Sequence, residues 1–195
     1  MSKPRLIRLV TSLLVFTALF AIQTYAAHET PVTPTNPIAT STPAAVPAAS
    51  TSTNALVVRA VDGDTLEVRL DGETDDVKVR LLGVNTPESV DPRRAVECFG
   101  KEASKHTKEM TEGMRVRLEQ DPQADEVDKY GRLLRNVVLQ NGTDFNASLV
   151  REGFAYAYLD FPLNKLRKVE LANLQKEAEA AKRGLWDPNI CDGQK

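Results

Sequence analysis

Three stretches of the chain alternate apolar and polar residues with a period of two. Leu66, Val68 and Leu70 are separated by Glu67 and Arg69; Val77, Val79 and Leu81 by Lys78 and Arg80; Val116 and Leu118 by Arg117. Such alternation predicts strands with one face in a core and the other in water. Leu56–Val61 and Leu133–Leu139 are richer in β-branched residues and read as two further strands, and Asp71-Gly72 and Asn141-Gly142 supply turn chemistry beside them. Helical spacing replaces this pattern in three places. A Pro-free segment spans about 100–112. A short helix spans about 146–152 and ends at Gly153, and a long one spans roughly 164–183, with Leu166, Val169, Leu174, Ala178 and Ala181 as its apolar positions. Five short antiparallel strands with an interposed helix and a helical tail predict a mainly β fold with α: a small five-stranded barrel of the oligonucleotide-binding (OB) type carrying three helices.

The first 54 residues follow neither pattern. Lys3, Arg5 and Arg8 precede a 14-residue apolar run, Leu9 to Ile22, followed by small residues with Thr24 and Ala26 at the −3 and −1 positions of a cleavage site. As a helix the run would span about 21 Å, short of a bilayer core of roughly 30 Å. Residues 1–26 therefore read as a signal peptide cleaved near Ala26, with an uncleaved anchor as the lesser alternative. The expected location is exported, secreted or in the cell envelope, and membrane contact is confined to export or to such an anchor. Residues 27–54 are rich in Pro, Ala, Ser and Thr, with Glu29 their only charged side chain, and read as a disordered linker. The folded domain is expected over 55–190, and 191–195 form a tail.

Composition narrows the chemistry. The chain has 195 residues, 42% of them hydrophobic and 27% charged, as in an ordinary folded protein. Two His and two Cys, far apart, cannot supply the four ligands of a zinc finger, and neither His28 nor His106 sits in a recognisable nucleophile setting. Chemistry must run on carboxylates, arginines, tyrosines or an oxygen-bound metal. The net charge is −2, and residues 1–54 contribute three of the cations against one acid, so the domain is more acidic than the whole chain. Such a domain exerts no general pull on a polyanion and would have to bind one through a local basic patch or a metal ion.

Three polar segments are candidates for that role. Asp62-Gly63-Asp64-Thr65, between two strands, is either a carboxylate cluster for a hard cation or an ordinary β-turn. In the run Arg80-Leu81-Leu82-Gly83-Val84-Asn85-Thr86-Pro87-Glu88, a strand arginine offers a planar fork for phosphate oxygens and a loop glutamate offers a base for water; the plain alternative is a surface arginine and a solvated acid. Asp128-Lys129-Tyr130-Gly131-Arg132 offers a second arginine beside a tyrosine, or a charged hairpin loop.

In this order and at these spacings, the three segments resemble the staphylococcal nuclease-like (thermonuclease) family. Gly100-Lys101-Glu102-Ala103-Ser104, Asn146-Ala147-Ser148-Leu149-Val150 and Gly184-Leu185-Trp186 extend the resemblance over roughly 57–186. It implies the barrel with three helices and an exported, Ca²⁺-dependent nuclease that cleaves phosphodiester bonds of DNA and RNA. Carried over by position, it implies Asp64 as a metal ligand, Thr86 as a ligand through its backbone oxygen, and Arg80 and Arg132 as phosphate clamps. Glu88 would orient or deprotonate the attacking water, Asp62 would be a nearby acid, and Lys129 and Tyr130 would contact substrate. The family's second metal-binding aspartate falls at Asn85, whose amide oxygen can still serve Ca²⁺ with less charge and so with weaker affinity. No stable protein partner is implied, and a monomer is expected. The competing reading is a nucleic-acid- or protein-binding module on the same fold with weakened catalysis.

Cys98 and Cys191 are an even pair in a chain read as exported, so a disulfide is expected; two free thiols are the alternative. Tyr156, Tyr158 and Phe99 are candidates either for a groove in which bases stack or for core packing. Arg93 and Arg94 are candidates for contact with the substrate backbone.

Overall fold

The computed structural model describes residues 52–90, 92 and 95–194. Residues 1–51, and with them the expected signal peptide and nearly all of the linker, lie outside the described residues, as do Arg93 and Arg94. The strands are β1 (Ala55–Asp62), β2 (Thr65–Leu70), β3 (Asp76–Leu81), β4 (Val84–Asn85), β5 (Arg115–Glu119), β6 (Leu133–Leu139) and β7 (Tyr156–Ala157). The helices are α1 (Gly100–Thr111), α2 (Phe145–Arg151) and α3 (Lys165–Ala180), with a 3₁₀ turn at Gly184–Trp186. Each expected strand and helix is present to within about three residues at its ends.

Five strands close a barrel in the order β1-β2-β3-β6-β5. The alternation seen in sequence becomes its inside and outside. Val57, Leu66, Val68, Val79, Leu81, Val116 and Val137 are fully buried in one continuous core with Phe145 and Leu149 of α2 and Leu171 of α3. The polar partners Arg69, Lys78 and Arg115 point outward. One pairing departs from the all-antiparallel expectation: β3 and β6 run parallel, Val79 opposite Leu133 and Leu81 opposite Arg135. The long connection through α1 and β5 permits this, because a parallel pair cannot be joined by a tight turn. β4 pairs with β7, Asn85 opposite Tyr156. Two-residue strands are too short to leave a periodic signature, so the sequence pattern missed them.

Two buried or half-buried polar side chains hold the helices to the barrel. Asn146 is fully buried; its Oδ1 accepts from Val137 N–H at 3.0 Å and its Nδ2 donates to Leu82 O at 2.9 Å, joining α2 to β6 and to the turn after β3. Asp144 caps α2 by accepting from Ala147 N–H at 2.9 Å, and Arg167 of α3 pairs with the same carboxylate. α3 buries Leu171, Leu174 and Ala178, whereas Leu166 and Val169, expected on its core face, are exposed. Both sit in the first turn and a half, before the helix settles onto the barrel.

Cys98 and Cys191 form a disulfide across 93 residues, fastening the C-terminal tail to the segment before α1. In the chain-entropy account a loop of that length contributes about 4–5 kcal/mol. Reduction should therefore lower the melting temperature of the folded domain by roughly 10 °C or more. A scanning calorimetry trace unchanged by reductant, with thiol release confirmed, would show that the bridge adds little.

Candidate functional site

Backbone geometry gathers the polar segments at one end of the barrel. The β1–β2 turn presents Asp62 and Asp64. Thr107 of α1 holds that turn by donating its hydroxyl to Gly63 O at 2.7 Å. Gly63 packs so closely on Thr86 that a β-carbon there would lie 2.7 Å from Thr86 Oγ1, so glycine is required by proximity. β3 delivers Arg80 beside the turn, and Leu81 N–H donates to Asp64 O at 3.0 Å. β4 then brings Thr86 N–H to the same carboxylate and Asn85 within reach of Arg80.

Asp64 and Arg80 form the centre of the site. They are 8% and 6% exposed, and Arg80 Nη2 lies 3.0 Å from Asp64 Oδ2. Asp64 Oδ2 also accepts from Thr86 N–H at 3.1 Å, and Oδ1 accepts from the Thr65 hydroxyl at 3.0 Å. Arg80 donates to Leu81 O at 2.6 Å and, at 3.4 Å, to Asn85 Oδ1. Burial lowers the Arg80 guanidinium from its ordinary pKa, and the Asp64 carboxylate works against that shift.

The second arginine reaches the same place by another route. Asp128 folds its own loop, accepting from the backbone N–H of Tyr130 at 2.9 Å and of Arg132 at 3.0 Å. Its other oxygen pairs with Arg132 Nη2 at 2.6 Å. Burial raises the Asp128 carboxyl, but these hydrogen bonds outweigh it and hold the group below the usual carboxylate range. Arg132 Nη1 then donates to Thr65 Oγ1 at 3.5 Å, so Thr65 links Arg132 to Asp64. Tyr130 is 72% exposed, with Lys129 Nζ 5.0 Å and Arg132 Cζ 5.4 Å from its ring centroid.

Glu88 lies on the loop before α1, and its carboxylate Oε1 accepts from the N–H groups of Ser89 and Val90, both at 2.9 Å. The loop is braced by Glu97, whose Oε2 accepts from Glu88 N–H at 3.0 Å and whose own N–H donates to Glu88 O at 2.9 Å. Gly100 closes the brace: a β-carbon there would lie 2.5 Å from Glu88 O. Ser89 donates its hydroxyl to Asp62 Oδ1 at 2.5 Å. Burial pushes the Asp62 carboxyl up to about 6, against the Ser89 hydrogen bond, with Asp64 and Glu88 adding to the rise.

Asp62, Asp64, Arg80, Asn85, Thr86, Glu88, Lys129, Tyr130 and Arg132 all line one cavity of about 840 Å³. Of Tyr156, Tyr158 and Phe99, only Tyr158 lines it. Tyr156 packs edge-on against Trp186 and donates to Gly193 O at 3.2 Å, and Phe99 stacks on Phe154. β7 ends at Ala157, so Tyr156 and Tyr158, two positions apart, are not held to one strand face. Phe161, which sequence reasoning missed, lines the cavity 5.0 Å from the Tyr158 ring. Its one sequence signal is its place beside Pro162, three residues after Tyr158. Glu97 gave no signal, because its role is made by loop geometry.

Among the described residues no three His, Cys, Asp or Glu side chains cluster as a metal site. The three expected ligands are of another kind: the Asp64 carboxylate, the Asn85 amide oxygen and the Thr86 backbone oxygen, beside which the buried Thr86 hydroxyl has no hydrogen-bond partner among the described residues. An all-oxygen, partly neutral set suits a hard cation and not a soft one.

Comparison with known proteins decides the kinship. Residues 78–188 match the family of staphylococcal nuclease homologues. The thermonuclease of Staphylococcus intermedius is 42% identical over 132 residues, which cover 68% of this chain and 75% of that protein. The chain belongs to the staphylococcal nuclease family. The thermonuclease of Staphylococcus hyicus is 41% identical over 130 residues, 67% of this chain and 73% of its own. Endonuclease YncB of Bacillus subtilis is 38% identical over 135 residues, with 68% and 61% coverage. As a member of this family the chain is an enzyme, a nuclease.

The raised Asp62 group yields a stability test. Between the unfolded carboxylate value of about 4 and about 6, folding takes up a proton, so the folded state loses stability as pH rises through that window. In the metal-free protein, Asp62→Asn should melt higher than wild type at pH 7, with the gap opening between pH 4 and 6 and constant above. Equal gaps at pH 4 and pH 8 in thermal melts would contradict the assignment.

Proposed function

We propose that the chain is an exported, Ca²⁺-dependent nuclease that hydrolyses phosphodiester bonds of DNA and RNA at the Asp64–Arg80–Arg132 cavity. The observation that carries the reading is the convergence of two guanidinium groups on one carboxylate, Arg80 directly and Arg132 through Thr65. A phosphodiester is an anion that repels a nucleophile, and cations aimed at its oxygens remove that barrier.

Asp64, Asn85 and Thr86 would hold the ion. When bound, Ca²⁺ supplies positive charge to a phosphate oxygen and orients water. The protein's own groups do the rest. Arg80 and Arg132 fork onto the phosphate oxygens and meet the charge that develops there. Glu88, held by the Ser89 and Val90 N–H groups and braced by Glu97, aligns the attacking water and takes its proton. The water oxygen bonds to phosphorus as the ester P–O bond breaks, and the leaving oxygen takes its proton from solvent. Lys129 and Tyr130 stand at the mouth for substrate contact. The N-terminal sequence supports export. The weakened binding module remains the competing reading, favoured by the amide at Asn85.

The two arginines differ as tests. Removing Arg80 leaves Asp64 buried and uncompensated, a loss of about 3–5 kcal/mol in stability as well as in catalysis. Arg132 is more exposed, so Arg132→Ala should keep the fold and lose on the order of 10²–10³ in kcat, equivalent to roughly 3–4 kcal/mol. Wild-type rates in that variant would remove the phosphate role.

Plasmid DNA and RNA should be digested by the purified protein with Ca²⁺ and left intact with chelator. Asn85→Asp should lower the Ca²⁺ concentration for half-maximal activity. Tight substrate binding without cleavage at any Ca²⁺ concentration would support the binding module.

A further inference from the structure

The cavity holds a cation that the proposed chemistry does not use. Lys78 lines it, two positions before Arg80 on β3, on the same outward face of the strand. Alternate residues of a strand are about 6.7 Å apart, so β3 sets out two cations in a row along the cavity floor. Four basic side chains line the cavity, and their engagements differ. Arg80 is paired with Asp64 and Arg132 with Asp128. Lys129 lies over the Tyr130 ring. Lys78 has no ion pair among the described residues. Its cross-strand neighbour Glu67 is taken by Arg59 at 2.5 Å. Asp125 and Asp128, on the segment before β6, also line the cavity, and Asp128 is paired with Arg132. The remaining acids that line the cavity, Asp62, Asp64, Glu88 and Glu97, lie on the β1–β2 turn and the loop before α1, beyond the Arg80 end of β3.

We infer that Lys78 is a subsite for the phosphate next to the scissile one, so that the site is built for a chain of at least two phosphates and not for an isolated phosphodiester. The inference rests on the reading of Arg80 as the contact to the scissile phosphate. A polyanion entering the cavity meets carboxylates at the ion-binding end and an uncommitted ammonium along β3. It gains most by running its backbone past Arg80 toward Lys78. The volume of about 840 Å³ is far more than one phosphate needs and falls in the range that encloses ligands of several groups. A lysine contacts phosphate as a mobile point charge, so the subsite adds affinity without reading base identity.

The test compares wild type, Lys78→Ala and Lys78→Arg. The probes are a single-stranded oligothymidylate of about ten nucleotides and the dinucleoside monophosphate thymidylyl-thymidine, which carries one phosphodiester. Lys78 is exposed, so the variants should fold, as a thermal melt will verify. With Lys78→Ala, KM for the oligonucleotide should rise on the order of tenfold, while any loss on the dinucleoside monophosphate is several-fold smaller. Lys78→Arg should restore most of the difference. The slope of log(kcat/KM) against log salt should become shallower by about 0.7 for the oligonucleotide. Equal losses on both probes, or no loss on the oligonucleotide, would overturn the subsite. A phosphorothioate version of the oligonucleotide, followed by fluorescence anisotropy, separates this inference from the catalytic one. Binding by wild type that Lys78→Ala weakens upholds the subsite even if neither probe is cleaved, whereas no binding by wild type overturns it.

Discussion

The ion pair between Asp64 and Arg80 is the interaction on which the site depends. Two nearly buried charges are costly to take out of water and persist only when their remaining hydrogen-bonding capacity is used. Here it is used. Thr65 and Thr86 N–H serve the carboxylate, and Leu81 O serves the guanidinium. Each of these partners belongs to a different stretch of backbone, so the pair fixes the β1–β2 turn, the end of β3 and the start of the following loop relative to one another. A carboxylate held this way is preorganised for a cation, and an arginine held this way is preorganised for an anion. Charge stabilisation in a site of this kind requires no rearrangement when the reaction begins.

The remainder of the molecule acts as a mount for that pair. The fully buried apolar faces of β1, β2 and β3 set the register that brings Asp64 beside Arg80, and a slip of one residue would put Val79 in place of Arg80. α1 contributes through Thr107, which holds Gly63. The disulfide anchors the residue after Glu97, and Glu97 holds the backbone of Glu88 from both sides. The loop that carries the proposed base is thus braced at its far end by the C-terminal tail.

Much of this was legible in the chain itself, for reasons that differ by element. β2, β3 and β5 announced themselves through alternation, because each has one face in the core. The acidic turn, Arg80, Asn85, Thr86, Glu88 and Arg132 were found because their spacing matches a known family, and the structure brings all of them to one cavity. The parallel β3–β6 pairing was not legible, since strand direction depends on the connection and not on the strand. Sequence alone does not separate Tyr156 from Tyr158, since both suit stacking or packing; the fold packs Tyr156 on Trp186, while Tyr158 and Phe161 line the cavity. Leu166 and Val169 obey helical spacing yet face water, because periodicity shows which residues share a face and not which face is covered. Lys78 looked like the polar half of an alternating strand, and only the shape of the cavity gives its charge a use.

The central claim is that one oxygen-lined pocket and two guanidinium groups hold an ion and a phosphate side by side. The most direct measurement is a crystal structure of the protein with Ca²⁺ and a nucleoside 3′,5′-bisphosphate. The account predicts Ca²⁺ at about 2.3–2.6 Å from oxygens of Asp64 and Asn85, with one phosphate group contacted by both Arg80 and Arg132. Ca²⁺ bound away from Asp64, or a nucleotide seated outside the cavity with neither arginine on its phosphate, would contradict it.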